Sequence, residues 1–110
     1  MKGTILINDK EYEAVANAAS PYLYRKIFNE DFILAFDPEK PQPALFEKMF
    51  FVMVKQAELH FKEVMNLGTD DFYEFLSDFD PLDIISEIDK ISDLYFKNTK
   101  GTSSPKGKAG

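Results

Sequence analysis

The chain has 110 residues, of which 45% are hydrophobic and 15% aromatic, and its formal net charge is −6. This length predicts one domain with enough apolar material for a core. The acidic balance disfavours wrapping of nucleic acid, because neutralised phosphates supply most of that affinity. No stretch of about eighteen apolar residues predicts a membrane span, and the lack of cysteine excludes a disulfide framework. The N-terminus shows no signal-peptide pattern, so a cytoplasmic location is expected.

Residues 4–15 predict a β-hairpin, the first element of the chain. Thr4–Ile7 is rich in strand-forming side chains, Asn8–Lys10 is turn material, and Glu11–Val15 alternates polar with apolar residues. A two-stranded ribbon is only marginally stable in water. We therefore expect it to lie on a helix or to join the edge of a partner's sheet.

A first helix is predicted over about residues 21–36, with an interruption. Ser20 followed by Pro21 has the pattern of an N-cap and a first helical residue. Asn29 suits the left-handed position that ends a helical segment. A short segment is expected to restart over about Phe32–Phe36.

The longest predicted helix follows a proline-rich connection. Residues 37–43 hold three prolines and predict an exposed connection. Residues 44–66 predict the central and most buried helix, ended by Leu67 and Gly68 in a Schellman turn. Its apolar stripe with two widening neighbours comprises Phe46, Met49, Phe50, Phe51, Met53, Val54, Ala57, Phe61 and Val64.

An acidic and aromatic segment predicts a helix over residues 70–79. Thr69 is the candidate N-cap, and Asp70 and Asp71 occupy the first turn, where the helix dipole favours anions. The apolar face of this helix consists of Phe72, Phe75, Leu76 and Phe79.

The last predicted helix covers about residues 81–97, and a basic tail follows it. Asp80 and Pro81 repeat the pattern of an N-cap and a first helical residue. Residues 98–110 contain no large apolar side chain and predict a flexible, disordered tail. The last fourteen residues carry four Lys and no acid, whereas the rest of the chain has a net charge of −10.

Together these elements predict a mainly α fold of the α+β class. An N-terminal β-hairpin is followed by four to five helices that pack as one small domain over residues 1–97. The basic tail over residues 98–110 lies outside that domain.

The residue inventory supports no catalytic, cofactor or metal site. His60 is the only histidine, and no Cys or second His accompanies it to complete a site. The acidic residues between positions 70 and 83 lack EF-hand spacing and are better explained as helix caps and first-turn acids. No nucleophile-elbow, dinucleotide-binding or Walker motif occurs. We therefore expect neither an enzyme nor a cofactor.

The aromatic side chains suggest protein binding. Most of the eleven Phe and five Tyr are expected in the core, and any that the core leaves exposed would mark a partner surface. The free edge of the hairpin is a second candidate docking line. A place in the core remains the other interpretation of each candidate. The candidate partner-binding residues are Tyr22, Tyr24 and Phe28 in the first helix and Phe72, Tyr73 and Phe75 in the acidic segment.

The order of these elements resembles the tail assembly chaperones of long-tailed phages and prophages of Gram-positive bacteria. The resemblance covers nearly the whole chain and is carried by SPYLYRKIFNEDFI from Ser20, MVKQAE from Met53 and NTKGTSSPK from Asn98. Two features depart from the family pattern. Asn29 stands where relatives often have Gly, and the pair Tyr95-Phe96 stands where a Trp is common.

The resemblance implies a non-enzymatic function. Such chaperones coat the long, helical tape measure protein in the host bacterial cytoplasm, keep it soluble, and help to recruit tail tube subunits. They are absent from the finished virion. The implied partners are the tape measure protein and the tail tube (major tail) protein, with no nucleic acid or membrane, and a homo-oligomer is left open. An acidic domain with spare apolar surface suits this work.

In this family a ribosomal frameshift near the end of the gene often yields an extended form that contacts the tail tube protein. The stretch Lys106-Gly107-Lys108 can be encoded as AAG-GGA-AAG, which contains a slippery heptamer. The tail would then be a linker to the extension. A gene with no slippery run before the stop and no overlapping downstream frame would contradict this hypothesis.

Two other classes of function remain open from the sequence. An acidic inhibitor or nucleic-acid mimic, of the antitoxin or anti-defence type, is permitted by the negative charge of the folded part. Many of the acids are already accounted for as helix caps, which counts against it. A small helical enzyme is the least favoured class.

Overall fold

A computed structural model describes residues 2–35, 37, 39 and 42–103, with only the backbone of Ile33 and of residues 97–103. A two-stranded antiparallel hairpin is followed by helices, which confirms the predicted mainly α fold. In chain order the elements are β1 (Lys2–Ile7), β2 (Lys10–Val15), α1 (Ser20–Phe28), α2 (Phe32–Ala35), α3 (Pro43–Glu58), α4 (Phe61–Met65), α5 (Thr69–Leu76), a 3-10 turn (Ile85–Glu87) and α6 (Ile88–Ser103).

The hairpin turns through Asn8 and Asp9, which both have positive φ (52° and 67°). Positive φ at both central residues is typical of a type I′ turn, whose twist matches that of the strands. The register places Ile7 opposite Lys10. Ile5 and Ile7, two positions apart on β1, share the face that packs on the helices, and both are buried. The predicted hairpin is confirmed, with a turn of two residues.

Ser20 lies inside α1 and is not its N-cap. Ala19 precedes the first helical residue. The Ser20 hydroxyl accepts a hydrogen bond from the Asn17 N–H at 3.0 Å and donates one to Gln56 Oε1 at 2.6 Å. The predicted cap is therefore wrong, because the buried hydroxyl joins α1 to α3 and does not bind the first-turn N–H groups.

Asn29 ends α1 in the left-handed conformation, as predicted. Its φ and ψ are 53° and 41°, and its N–H donates to the Arg25 carbonyl at 2.8 Å. Helix α2 restarts at Phe32, whose side chain is buried. Phe36, the predicted end of this segment, lies outside the described residues.

Helix α3 lies at the centre of the domain. Every side chain over Met49–Val54 is at most 1% exposed, so this part of the helix is buried on all its faces. Strand β2 and the helices α1, α4, α5 and α6 all contact α3. Pro43 is its first residue, where the missing N–H costs nothing. Glu39 and Gln42 before it are exposed, as expected for the connection.

The prediction of one helix over residues 44–66 is wrong, because α3 ends at Glu58. Leu59 has extended backbone (φ −123°, ψ 162°), and α4 begins after His60. The Glu63 carboxylate accepts a hydrogen bond from the His60 N–H at 2.9 Å. This bond satisfies a backbone donor at the start of a new helix.

The break changes which side chains reach the core. Phe61 belongs to the predicted stripe but is 56% exposed, whereas Val64 is fully buried. The helical phase restarts after an extended residue, so positions beyond Leu59 no longer continue the α3 face.

Gly68 and Thr69 do not have their predicted roles at the start of α5. Gly68 is extended (φ −127°, ψ −176°) and is the N-cap, so no Schellman turn ends the preceding helix. Thr69 is the first helical residue. The Gly68 N–H donates to the Asp71 carboxylate at 2.8 Å, so a first-turn acid caps the helix. The predicted acidic first turn is confirmed, but α5 ends at Leu76, three residues short of Phe79.

The same kind of cap occurs before the last helix. The Asp80 N–H donates to the Asp83 carboxylate at 2.8 Å. The carboxylate of Asp83 therefore holds the backbone of Asp80, and Asp80 is not the N-cap of the last helix, contrary to the prediction. Pro81 lies in a turn, and α6 begins only at Ile88.

Helix α6 closes the core with its apolar face. Ile91 and Tyr95 are buried, and Ile84 before the helix is buried as well. The helix continues to Ser103, beyond the predicted end near Lys97. Residues 104–110 of the predicted disordered tail lie outside the part of the chain that the structure describes.

Replacement of Asn29 tests the left-handed end of α1. Asn29→Ala is expected to lower the free energy of unfolding by about 1 kcal/mol, because the short polar side chain of Asn tolerates positive φ through local hydrogen bonding and the methyl group of Ala does not. Asn29→Gly is the control and should stay within about 0.5 kcal/mol of the parent, since Gly adopts this conformation freely. Urea titrations measure both, and equal losses would contradict the assignment.

Truncation of a phenylalanine tests the central position of α3. Phe50→Ala, at a fully buried site, should cost about 3–5 kcal/mol of unfolding free energy through lost burial and a cavity. Phe61→Ala, at a site that is 56% exposed, is the matched control and should cost less than about 1 kcal/mol. Urea unfolding followed by circular dichroism gives both values. Similar losses at the two sites would contradict the fold.

Candidate interaction surface

Four phenylalanines from three helices form an aromatic cluster: Phe28, Phe51, Phe72 and Phe75. The ring centroid of Phe51 lies 6.1 Å from that of Phe28. It lies 5.5 Å from that of Phe72 and 5.3 Å from that of Phe75. Phe28 and Phe72 meet edge to face at 5.0 Å, in a favourable aromatic geometry. The cluster therefore brings together the candidate residues of α1 and of α5, which are far apart in the sequence.

Two of the six candidate residues are largely exposed. Tyr22 on α1 is 74% exposed, and Tyr73 on α5 is 63% exposed. The Tyr73 ring lies 5.6 Å from the Phe72 ring, so this tyrosine stands at the solvent edge of the aromatic cluster. These two side chains offer a partner contact area without any opening of the domain.

The other four candidates lie in the core or on its rim. Tyr24 and Phe72 are buried, which agrees with the alternative interpretation of them as core residues. Phe28 and Phe75 are half-buried and pack against the core. Only the open side of these two rings could contact a partner.

Two lysines cover the aromatic cluster from the side of α3. The Lys48 ammonium lies 5.3 Å from the ring centroid of Phe28. The Lys55 ammonium lies 5.6 Å from that of Phe75. Both distances suit cation–π attraction, which is worth about 0.5–1 kcal/mol at exposed sites. A cleft of about 140 Å³ adjoins Lys55 and is lined by Lys55, Leu67, Asp71, Glu74, Phe75 and Asp78.

The exposed tyrosines have surroundings of opposite charge. Tyr22 shares the outer face of α1 with Arg25 and Lys26, which follow it by three and four positions and are exposed. Tyr73 shares the outer face of α5 with Asp70, which is exposed and precedes it by three positions. A partner that contacts both tyrosines therefore meets a basic and an acidic face.

A hydrogen-bonded network supports the α1 side of the aromatic cluster. The Tyr24 hydroxyl donates to the Glu30 carboxylate at 2.6 Å, and the same carboxylate pairs with the Lys48 ammonium at 3.4 Å. Burial, and then the bond to Glu30, raises the pKa of Tyr24 well above its ordinary value. Burial also raises the pKa of Tyr95 to about 12.

Sequence patterns missed some of the exposed apolar side chains. Leu34 on the one-turn helix α2 is 85% exposed, and Leu82 beyond α5 is 69% exposed. No periodicity signals their exposure, because both lie in segments too short to define a face. Leu6, 43% exposed, follows from strand alternation, since its neighbours Ile5 and Ile7 point inward.

The described residues contain no group of three or more His, Asp or Glu side chains placed to hold a metal ion. Within the same residues no helix combines the length and apolar character needed to cross a membrane. His60 is exposed at the start of α4, where its backbone N–H is held by Glu63.

Neither family models, nor curated proteins, nor solved structures match this chain. The resemblance to phage tail assembly chaperones therefore rests on the sequence pattern.

The two buried tyrosines predict a loss of stability at alkaline pH. Their pKa values in the folded state exceed the ordinary value of 10.0, so the folded protein keeps protons that the unfolded chain releases. The contribution of these two tyrosines to the free energy of unfolding should be constant below about pH 10 and fall as the pH rises above it. Tyr24→Phe should flatten this fall. Urea titrations at rising pH measure it, and a parent curve that stays level above pH 10 would contradict the assignment.

Proposed function

We propose that this protein is a non-enzymatic tail assembly chaperone that binds and solubilises the tape measure protein of a long-tailed phage or prophage. The class of client comes from the sequence resemblance in SPYLYRKIFNEDFI and MVKQAE. The observation that carries the proposal is the exposure of large apolar side chains, above all Tyr22 and Tyr73, on an acidic domain whose core is already filled.

The exposed apolar side chains support binding of a helical client. Tyrosine supplies a large contact area at low conformational cost and is common among binding hot spots. Side chains of this kind can cover the apolar stripe of an amphipathic client helix. Among the residues whose side chains the structure describes, the exposed large apolar ones are Leu6, Tyr22, Leu34, Phe61, Tyr73 and Leu82.

The charge of the domain supports the solubilising part of the proposal. A net charge far from zero keeps a protein soluble through mutual repulsion. The basic face beside Tyr22 and the acidic face beside Tyr73 allow the complex to pair with charges that flank an apolar stripe on the client.

The same proposal includes the place and the second partner of the chaperone. It acts in the host bacterial cytoplasm, is absent from the finished virion, and helps to recruit tail tube subunits. Contact with the tail tube protein involves an extended form produced by a frameshift near Lys106.

An acidic nucleic-acid mimic is the competing function, and the outer face of α5 is the observation in its favour. Asp70 and Glu74 are exposed on that helix, and Asp78 is exposed in the turn that follows it. Three other acids instead accept backbone N–H groups at the starts of helices or turns, which explains their presence structurally. The acceptor–donor pairs are Glu63 with His60, Asp71 with Gly68 and Asp83 with Asp80.

Co-expression with the tape measure protein encoded by the neighbouring gene tests the proposal. The parent chain should raise the soluble fraction of the client and co-purify with it. Tyr22→Ala combined with Tyr73→Ala should weaken binding by about tenfold or more, because exposed aromatic anchors are lost. The melting temperature should change by less than about 2 °C, since neither ring belongs to the core.

Two controls separate binding from folding. Asp89→Ala removes an exposed side chain of α6 and should leave binding unchanged. Tyr24→Ala removes a buried ring and should lower the melting temperature. An insoluble client that does not co-purify with the parent would contradict the chaperone function. Displacement of nucleic acid from a basic protein by the chain would favour the mimic.

A further inference from the structure

The outer edge of β1 has unused backbone hydrogen-bonding groups. The two-residue turn closes on Ile7 and Lys10, so these two residues form a hydrogen-bonded pair. Antiparallel pairs alternate, so the N–H and C=O groups of Lys2, Thr4 and Leu6 point away from β2. No backbone hydrogen bond joins these three residues to any other described element.

The helices of the same chain leave this edge open because they lie under the face of the hairpin. A Cβ placed on Gly3 would approach Leu94 Cδ1 of α6 to 2.8 Å. Gly3 belongs to the inward-facing set of β1, so α6 contacts the strand from below. Thr4 and Leu6, which alternate with Gly3, are exposed.

The two outer edges of the hairpin differ in charge. A strand that pairs with a second copy of itself about a two-fold axis brings its central residue opposite the same residue. On β2 that residue is Glu13, and two carboxylates would oppose each other, which is unfavourable. On β1 the central residue is Thr4, and Thr–Thr pairs are favourable.

The remaining positions of β1 also fit a second copy. In the same register Lys2 faces Leu6 of the second copy, and each Leu6 faces a Lys2. Leu6 is 43% exposed, and the aliphatic stem of a lysine can cover it while the ammonium stays in water. No like charges oppose each other along this edge.

We infer that the protein forms a homodimer in which two β1 strands pair antiparallel and join the hairpins into a four-stranded sheet. Each facing pair of Lys2, Thr4 and Leu6 residues exchanges two backbone hydrogen bonds. The dimer extends a sheet of only two strands and covers the apolar part of its open edge. It is independent of the proposed client.

Sedimentation equilibrium over a range of concentrations tests the dimer. The parent mass should rise from 12.6 kDa to twice that value. Thr4→Pro removes an N–H that points away from β2, so the hairpin keeps its own bonds while the dimer loses its central pair. The dimer dissociation constant should rise about tenfold or more, as expected for loss of about 1.4 kcal/mol. Glu13→Pro, at the equivalent outward position of β2, is the matched control and should leave the dissociation constant unchanged.

A pair of charge variants tests the register and replaces the proline variant if that variant does not fold. Leu6→Lys places a lysine opposite Lys2 of the second copy and should weaken the dimer. Adding Lys2→Glu gives each lysine an opposite charge and should restore the dimer. Both side chains are exposed in the monomer, so circular dichroism spectra should match the parent.

Three results would overturn the inference. The parent could remain at the monomer mass at every concentration. This result would exclude the dimer even if Thr4→Pro weakened binding of a client strand at the same edge. Glu13→Pro could weaken the dimer as much as Thr4→Pro does. Lys2→Glu could fail to restore the dimer that Leu6→Lys weakens.

Discussion

The burial of α3 on all its faces is the constraint on which the rest of the structure depends. Side chains over Met49–Val54 have no polar face to turn to water, so no single neighbour can cover the helix. The hairpin and the helices α1, α4, α5 and α6 each contact α3. Several of these elements are too short to be stable alone, and their apolar contact with α3 supplies the missing stability.

Covering α3 uses most of the aromatic side chains, and this determines what the surface can do. The rings of Phe28, Phe72 and Phe75 are drawn around Phe51 and become core or rim. Phe72 enters the core. Tyr73 lies on the opposite side of α5 from Phe75 and therefore remains outside. Among the described residues, the exposed tyrosines Tyr22 and Tyr73 therefore lie on the outer faces of helices, beside charged side chains.

The sequence predicted those features that depend on local chemistry. The hairpin, the left-handed Asn29 and the acidic first turn of α5 were all predictable, because each follows from a few adjacent residues. The break at Leu59 and the capping by Asp71 were missed. At both places a helix starts without a Ser, Thr, Asn or Asp cap, because a carboxylate three residues later accepts the backbone N–H of His60 or of Gly68. For the candidate surface, helical spacing shows which side chains share a face but not what covers that face. Tyr22 could therefore not be separated from buried candidates such as Tyr24 before tertiary packing was known.

Amide hydrogen exchange of the free chain and of its complex with the tape measure protein tests most directly the claim that binding uses the surface of an intact core. Amides over Met49–Val54 should exchange equally slowly in both samples, while exchange slows around Tyr22 and Tyr73 in the complex. Faster exchange over Met49–Val54 in the complex would contradict the account. It would mean that the domain opens and offers its core side chains to the client.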